Sequence, residues 1–327
     1  MAEPLLGHEN TLASLRAAAQ AQALAHSLLV TGPDGVGKTT LALILARDLT
    51  CMEPRPDGAA CLSCRSCVLA DAGTHPDILR ITPPKEETTI AQAREIRQVA
   101  GMVPALSERR VIIIERAETL NEQAANAILK VLEDAPGRLT LLLLAPSSKS
   151  VLATIRSRSL EIPLRPVSQK TLKGFLEEKG LTPDTSAAVA RNSGGAPGRA
   201  IRLGESPELL ETLTQIRQWL DTLFTAPPGA ALKLAEELRQ IGGRIKKLLK
   251  EEEASDRQAL SWVLDSLMAE LAEGLDTHQS APAWSISRTA AAIREINQCR
   301  NNVMNYASVD LQTERLLLRL LNPRALG

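Results

Sequence analysis

Apolar runs of strand length alternate with helix-period segments over the first half of the chain. Ser27-Leu28-Leu29-Val30-Thr31 is a short apolar run ending at Gly32-Pro33, the pattern of a buried strand. Asp77-Ile78-Leu79-Arg80-Ile81 reads as a second strand with alternate residues apolar, and Val111-Ile112-Ile113-Ile114 as a third, β-branched throughout. Leu139 to Leu144 gives a fourth, although leucine alone does not separate strand from helix. Leu160-Glu161-Ile162-Pro163-Leu164 is a fifth, and its proline assigns it to an edge or an end. Residues 39–49 and 119–133 carry helical periodicity. In the second segment Thr119 and Glu122 are spaced as a capping box, Ala124, Ile128, Leu129 and Leu132 form the apolar stripe, and Pro136-Gly137 stops the helix. Strands alternating with helices predict a parallel sheet covered on both faces.

After Arg165-Pro166 the strand signals vanish. Residues 171–180 predict a helix capped by Ser168, and residues 192–198 a loop between two helices. From about 206 to 321 the pattern is amphipathic helix, broken at Ala226-Pro227-Pro228-Gly229 and at residues 279–284. The run from Lys246-Lys247 to Glu251-Glu252-Glu253 reads as a solvated helix face. No internal repeat is visible.

Composition narrows the classes. A chain of 327 residues, 44% hydrophobic and 23% charged, has apolar content for two or three folded domains. Its 38 basic side chains are balanced by 38 acidic ones, which excludes strong independent DNA binding through uncompensated Lys and Arg. Three Trp, one Tyr and two Phe are too few for a base-stacking platform. Met1-Ala2-Glu3-Pro4 carries no signal-peptide pattern, and no apolar run approaches the ~20 residues of a membrane span. The expected location is therefore cytoplasmic. Four of the five cysteines fall between Cys51 and Cys67, which in a reducing compartment points to a metal rather than to disulfides.

Four motifs carry chemistry. Gly32-Pro33-Asp34-Gly35-Val36-Gly37-Lys38-Thr39, followed by Thr40, matches G-x-x-x-x-G-K-[ST] at every fixed position. Phosphate oxygens need inward-pointing N–H groups, and glycines let the backbone wrap that closely. Lys38 is expected to reach the β- and γ-phosphates and Thr39 to hold Mg²⁺. The alternative is a loop that has kept its shape and lost its ligand. The second motif, Arg109 to Glu118, is an apolar strand ending in acid, of Walker B form. Its Mg²⁺-directed carboxylate is Glu115, one methylene longer than the usual Asp. The next position, where many ATPases place a water-activating Glu, is Arg116, which has no acceptor for a proton. Glu118 is expected to point elsewhere. Glu115 as a merely exposed residue at a strand end stays open.

The third motif is Cys51-x9-Cys61-x2-Cys64-x2-Cys67, which can supply a closed tetrahedral Cys₄ zinc site of structural kind. Reduced free thiols or a redox pair are the alternatives, and Cys299 reads as ordinary packing. The fourth, Thr154-Ile155-Arg156-Ser157-Arg158-Ser159, is weak alone. Residues 88–97 begin a helix whose N-terminal amides could meet a phosphate, with a solvated Arg94 and Arg97 as the plainer reading.

Together these residues resemble the delta-prime subunits of bacterial DNA polymerase III clamp loaders. Leu6-Gly7-His8-Glu9-Asn10 looks like the family's opening signature, His26-Ser27-Leu28-Leu29 its entry to the phosphate loop, and the cysteine module its zinc insertion. His75-Pro76-Asp77 precedes the second strand as it does there. Asn126 to Pro136 resembles the family's helix after Walker B, with Ile128, Asp134 and Ala135 as departures. Ser157-Arg158-Ser159 sits at a Ser-Arg-Cys motif with Ser in place of Cys.

The resemblance implies an α/β AAA+ P-loop domain at residues 1–165 with a zinc module at 51–67, a small helical lid at 166–205 and an all-α collar for oligomerisation at 206–327. It implies ATP or ADP with Mg²⁺ bound by Gly32 to Thr40 and Glu115, zinc on Cys51, Cys61, Cys64 and Cys67, and Arg158 as an arginine finger acting in trans. It implies gamma/tau and delta partners in a hetero-pentameric ring, a sliding clamp, and primer-template DNA met through the complex. The chain would be an accessory subunit of a DNA-directed DNA polymerase, a nucleotidyltransferase, with little or no ATPase activity of its own. Gly198 falls where motor subunits carry a nucleotide-sensing Arg, and Arg199 lies one place too late. A gamma/tau-type motor is the nearest alternative, against which stand Glu115-Arg116, Gly198 and the want of a tail after Gly327. A zinc-bearing P-loop nucleoside monophosphate kinase is the alternative of another class; the long helical C-terminal third has no place in it.

Overall fold

Five strands, β1 (Ser27–Thr31), β2 (Ile78–Ile81), β3 (Arg110–Ile114), β4 (Leu139–Ala145) and β5 (Leu160–Pro163), pair in parallel in the order β2-β3-β4-β1-β5. The computed structural model describes residues 5–83, 90–133, 138–249, 255–276, 284–304 and 307–322. The chain divides into two compact units, Met1–Val167 and Ser168–Gly327. The helix stop at Pro136-Gly137, a helix start at Thr88, the acidic run Glu251-Glu252-Glu253 and most of the break at 279–284 lie outside the described residues.

The three central strands are buried along their whole length, as unbroken apolar runs in a parallel sheet must be. Successive side chains point to opposite faces. Leu29, Ile112, Ile114, Leu141 and Leu143 therefore share one core with Ile96 of α4 (Ile90–Ala100) and Ile128 and Leu132 of α5 (Glu122–Glu133). Leu28, Val30, Val111, Ile113, Leu142 and Leu144 share the other with Leu12 and Leu15 of α1 (Glu9–Gln20) and Leu41 and Leu45 of α2 (Lys38–Thr50). The leucine run is thus a strand, because it pairs with β1 on one side and β3 on the other. The short α3 (Arg65–Asp71) follows the cysteine turns, and α6 (Ala153–Arg156) precedes the edge strand β5.

The capping box at Thr119 does not form. Residues Ala117–Thr119 make a 3₁₀ turn, in which the Thr119 hydroxyl donates to the Arg116 carbonyl at 2.7 Å. The Ala124 N–H donates to Asn121 Oδ1 at 2.9 Å, so the amide of Asn121 starts the helix instead.

The second unit is helical: α7 (Gln169–Glu178), α8 (Pro183–Asn192), α9 (Pro197–Glu205), α10 (Pro207–Thr225), α11 (Ala231–Leu248), α12 (Asp256–Asp276), α13 (Ile286–Met304) and α14 (Val309–Leu321). Ser168, Thr182, Ser206 and Ser308 cap α7, α8, α10 and α14 through their hydroxyls. Gly194 and Gly195 take left-handed φ of 61° and 77° in the turn from α8 to α9. Within this unit Arg199 is buried: it pairs with Asp265, donates to the Trp262 carbonyl at 3.3 Å and stacks 4.3 Å over the Trp262 ring. Arg300 reaches the other oxygen of Asp265 at 2.5 Å. No helix among the described residues is long and apolar enough to cross a membrane.

Candidate functional site

The phosphate loop occupies the turn between β1 and α2, at the carboxyl ends of the strands, where parallel sheets place ligands. Gly32 has φ +152°, and a Cβ there would stand 2.6 Å from the Leu164 carbonyl oxygen. Gly37 has φ +111° at the N-cap of α2, a left-handed entry that aims the first-turn amides of Lys38, Thr39 and Thr40 outward. Such amides and the helix dipole suit an anion. The Lys38 ammonium lies back across the loop and donates to the carbonyls of Gly32 at 2.7 Å and Pro33 at 3.0 Å, with Asp34 Oδ1 at 3.4 Å. The lysine is thereby held among backbone oxygens, and the exposed Asp34 and Gly35 form the loop's outer lip around buried Val36.

Beyond β3 the two acids differ. Both oxygens of Glu115 are taken: Arg80 reaches Oε1 through Nε and Nη2, each at 2.8 Å, and the Thr82 hydroxyl donates to Oε2 at 2.9 Å. Arg116 sits in the left-handed region at φ +52°. The Glu118 side chain is only 11% exposed, 4.0 Å from Arg116. Burial pushes its carboxyl up to about 7, aided by repulsion from Asp34 and opposed by Arg116 and Lys38. Its Oε2 is buried without a hydrogen-bond partner.

Arg158 follows α6 and is one-third exposed. Its guanidinium meets Glu133 at 2.6 Å and the Thr154 carbonyl at 3.1 Å. Ser159 anchors the turn, within 2.8 Å of the Ser27 hydroxyl and donating to the Ile155 carbonyl at 3.0 Å.

The cysteine module lies between α2 and β2. The sulfurs of Cys51, Cys61, Cys64 and Cys67 all lie within 4.8 Å of one another. Separations of 3.6 Å (Cys51–Cys67), 3.9 Å (Cys51–Cys64) and 3.9 Å (Cys61–Cys67) are far too long for disulfides. They match the edges of about 3.8 Å that a tetrahedron of ~2.3 Å metal–sulfur bonds would have. The donor set therefore fits a metal ion with no open position. Backbone N–H groups of Cys61 and Cys64 donate to the sulfurs of Cys51 and Cys61, each at 3.3 Å. The N–H groups of Ser63 and Cys64 bring the Cys61 thiol down to about 6. Leu62, at φ +67°, holds the tight turn between two of the four.

Buried polar side chains fasten the module to the sheet. Asp48 of α2 accepts from Arg16 at 2.7 Å and from the Ala60 N–H at 2.8 Å. The Ser66 hydroxyl donates to the Thr50 carbonyl at 2.6 Å and accepts from His75 Nε2 at 2.8 Å, while His75 Nδ1 accepts from the Asp77 N–H at 3.0 Å. Asp77 in turn accepts the amides of Ala105, Leu106 and Ser107 and the guanidinium of Arg110. Burial works against ionising Asp77, but these donors outweigh it and hold the carboxyl well below the usual range. The fifth cysteine, Cys299, lies in α13, where burial pushes its thiol up to about 12.

Comparison with known proteins agrees with this anatomy. A family model described as DNA polymerase III, delta subunit, matches residues 7–168. DNA polymerase III subunit delta' of Escherichia coli is 30% identical over 311 residues, covering 90% of this chain and 88% of that one. Subunit delta' of Pseudomonas aeruginosa is 33% identical over 249 residues, 73% of this chain and 66% of the other. Subunit gamma/tau of Mycobacterium tuberculosis is 32% identical over 201 residues, 59% of this chain and 34% of the other. With a delta' relative matched over nearly its whole length, this chain belongs to the DNA polymerase III subunit delta' family.

Proposed function

We propose that this chain is the stator-type delta' subunit of a bacterial clamp loader. It joins gamma/tau and delta subunits in a hetero-pentameric ring, which uses ATP to place a sliding clamp on primed DNA. One observation carries the reading: a chain that aligns along a delta' relative has a complete phosphate loop together with an arginine, Arg116, directly after the acid that ends β3. Arg116 cannot accept a proton, and both oxygens of Glu115 are engaged by Arg80 and Thr82. Arg199, the basic residue nearest the position of a nucleotide sensor, is committed to Asp265.

On this reading ATP or ADP with Mg²⁺ binds at Gly32 to Thr40 and turns over slowly. Residues 166–205 act as a lid and 206–327 as the ring-forming collar. Arg158 serves a neighbour's ATP in trans, and Cys51, Cys61, Cys64 and Cys67 hold a structural zinc. The chain is an accessory subunit of a DNA-directed DNA polymerase and works in the cytoplasm. Reconstitution tests it: gamma/tau and delta subunits should load clamps only when this chain is added. Equal loading without it, or vigorous ATP turnover by the chain alone, would sink the stator reading.

A further inference from the structure

Four buried residues away from the phosphate loop form one directed chain of hydrogen bonds, and it ends beside two of the clustered cysteines. The Asp77 N–H donates to His75 Nδ1 at 3.0 Å. A ring nitrogen that accepts from a backbone amide carries no proton, so the imidazole proton is on Nε2. Nε2 therefore donates to the Ser66 hydroxyl at 2.8 Å, and that hydroxyl gives its own proton to the Thr50 carbonyl at 2.6 Å. Thr50, Ser66, His75 and Asp77 are each at most 5% exposed. Burial lowers the pKa of His75 against the pull of Asp77, in keeping with a neutral ring. The Ser–His–Asp grouping is not a nucleophile. In a hydrolytic triad the imidazole accepts the serine proton and donates to the carboxylate. Here it donates to the serine, and the Asp77 carboxylate faces Ala105, Leu106, Ser107 and Arg110 instead.

The last two links of the chain are the immediate neighbours of metal-ligand positions. Thr50 closes α2 and precedes Cys51; Ser66 lies in the first turn of α3 and precedes Cys67. The Cys51 and Cys67 sulfurs stand 3.6 Å apart, so the bond from Ser66 to Thr50 ties together the two backbone segments that bring them there. We propose that His75 is a positioning residue for the metal: by fixing the Ser66 hydroxyl on the Thr50 carbonyl it holds Cys51 and Cys67 at coordinating distance, and so sets how tightly the module retains zinc. Without the Nε2–H donor the Ser66 oxygen is left short of a partner in a buried site, and its hydroxyl loses its fixed direction. Partners beyond the ligands orient a metal site in the same way, at about 10- to 100-fold in affinity. The proposal rests on the zinc reading above.

The test uses the full chain and reads metal retention, not activity. Zinc release into an excess of a chromogenic chelator is timed for the unmodified protein, His75→Phe, His75→Gln and Ser66→Ala. The visible absorption bands of each are recorded after cobalt replaces zinc. His75→Phe and Ser66→Ala should release zinc about tenfold faster or more and alter the cobalt bands. His75→Gln, whose amide can still donate to Ser66, should retain zinc nearly as the unmodified chain does. Amides of β1, β3 and β4 should keep their hydrogen-exchange protection in Ser66→Ala and His75→Gln, the two variants that decide the outcome if His75→Phe does not fold. Unchanged zinc retention in Ser66→Ala, or a loss in His75→Gln as large as in Ser66→Ala, overturns the proposal while the zinc reading stands. Zinc loss that comes only with loss of strand protection overturns it as well, since His75 would then serve the fold and not the metal. An unmodified chain that binds neither zinc nor cobalt overturns both.

Discussion

Arg158 is tied to Glu133: its Nε and Nη2 reach one carboxylate oxygen at 2.8 and 2.6 Å. Both side chains are well exposed, at 35% and 45%, so solvent screening leaves the pair worth at most about 1 kcal/mol. On the proposed role in trans, the guanidinium would start ordered, and a neighbour's triphosphate would take it from Glu133 at little cost. In the reconstituted ring Arg158→Ala should slow DNA- and clamp-stimulated ATP hydrolysis while folding and assembly persist. Loss of such a finger costs about 10³ to 10⁵ at the site it serves, and the ensemble rate falls less because other sites remain. Arg158→Lys should rescue little, since a point charge does not reproduce the fork. Glu133→Gln should load clamps normally. Arg156, exposed and unpaired among the described residues, is the control. Normal loading by Arg158→Ala with failure of Arg156→Ala would shift the assignment to Arg156.

Metal content is the simplest check. Freshly purified, unchelated protein should carry about one zinc per chain on its four clustered thiols. Cys61→Ser should loosen residues 50–75 in hydrogen exchange and leave β1, β3 and β4 protected. The Ser66–His75–Asp77 chain predicts where the loosening stops, because it ties α3 to the start of β2. Protein free of zinc on metal analysis would refute the assignment.

The sheet was legible because central parallel strands must be continuously apolar, as Val111 to Ile114 are, and the cysteine cluster because its spacing alone restricts geometry. Thr119 and Glu122 have capping spacing, yet nothing local reveals that Thr119 ends a 3₁₀ turn and that α5 starts only after Asn121. Pairings across the fold were invisible for the same reason. Arg80 and Glu115, or Asp77 and Arg110, meet only once β2 and β3 lie side by side. The burial of Glu118 is not legible locally, because backbone direction after a strand depends on one residue's φ, here that of Arg116.

In the helical unit, Arg199 should matter for stability rather than for nucleotide. Removing one partner of a buried pair costs about 3–5 kcal/mol, and Arg300 remaining on Asp265 places Arg199→Ala near the lower end. Denaturant midpoints should show the loss, with ATP affinity of the folded variant unchanged. An intact midpoint with weakened ATP binding would return Arg199 to the role of sensor.

The raised pKa of Glu118 predicts a pH-dependent stability with a defined sign. Its carboxyl binds protons more tightly folded, at about 7, than the ordinary value of 4.5. Below 4.5 both states are protonated and burial exacts no ionisation penalty. As pH rises from 4.5 through 7 the unfolded chain releases its proton first, and stability is lost. Above 7 the penalty is complete, roughly 3 kcal/mol from the shift at ~1.4 kcal/mol per unit. Glu118→Gln carries no such charge. In metal-free and nucleotide-free protein, its urea midpoint should lie nearest that of the unmodified chain near pH 3.5 and exceed it most at pH 8. The other titrating groups, Asp77 included, are common to both proteins and cancel in the difference. A constant offset at every pH would mean that the substitution acts through packing and that Glu118 is ionised at its ordinary pKa.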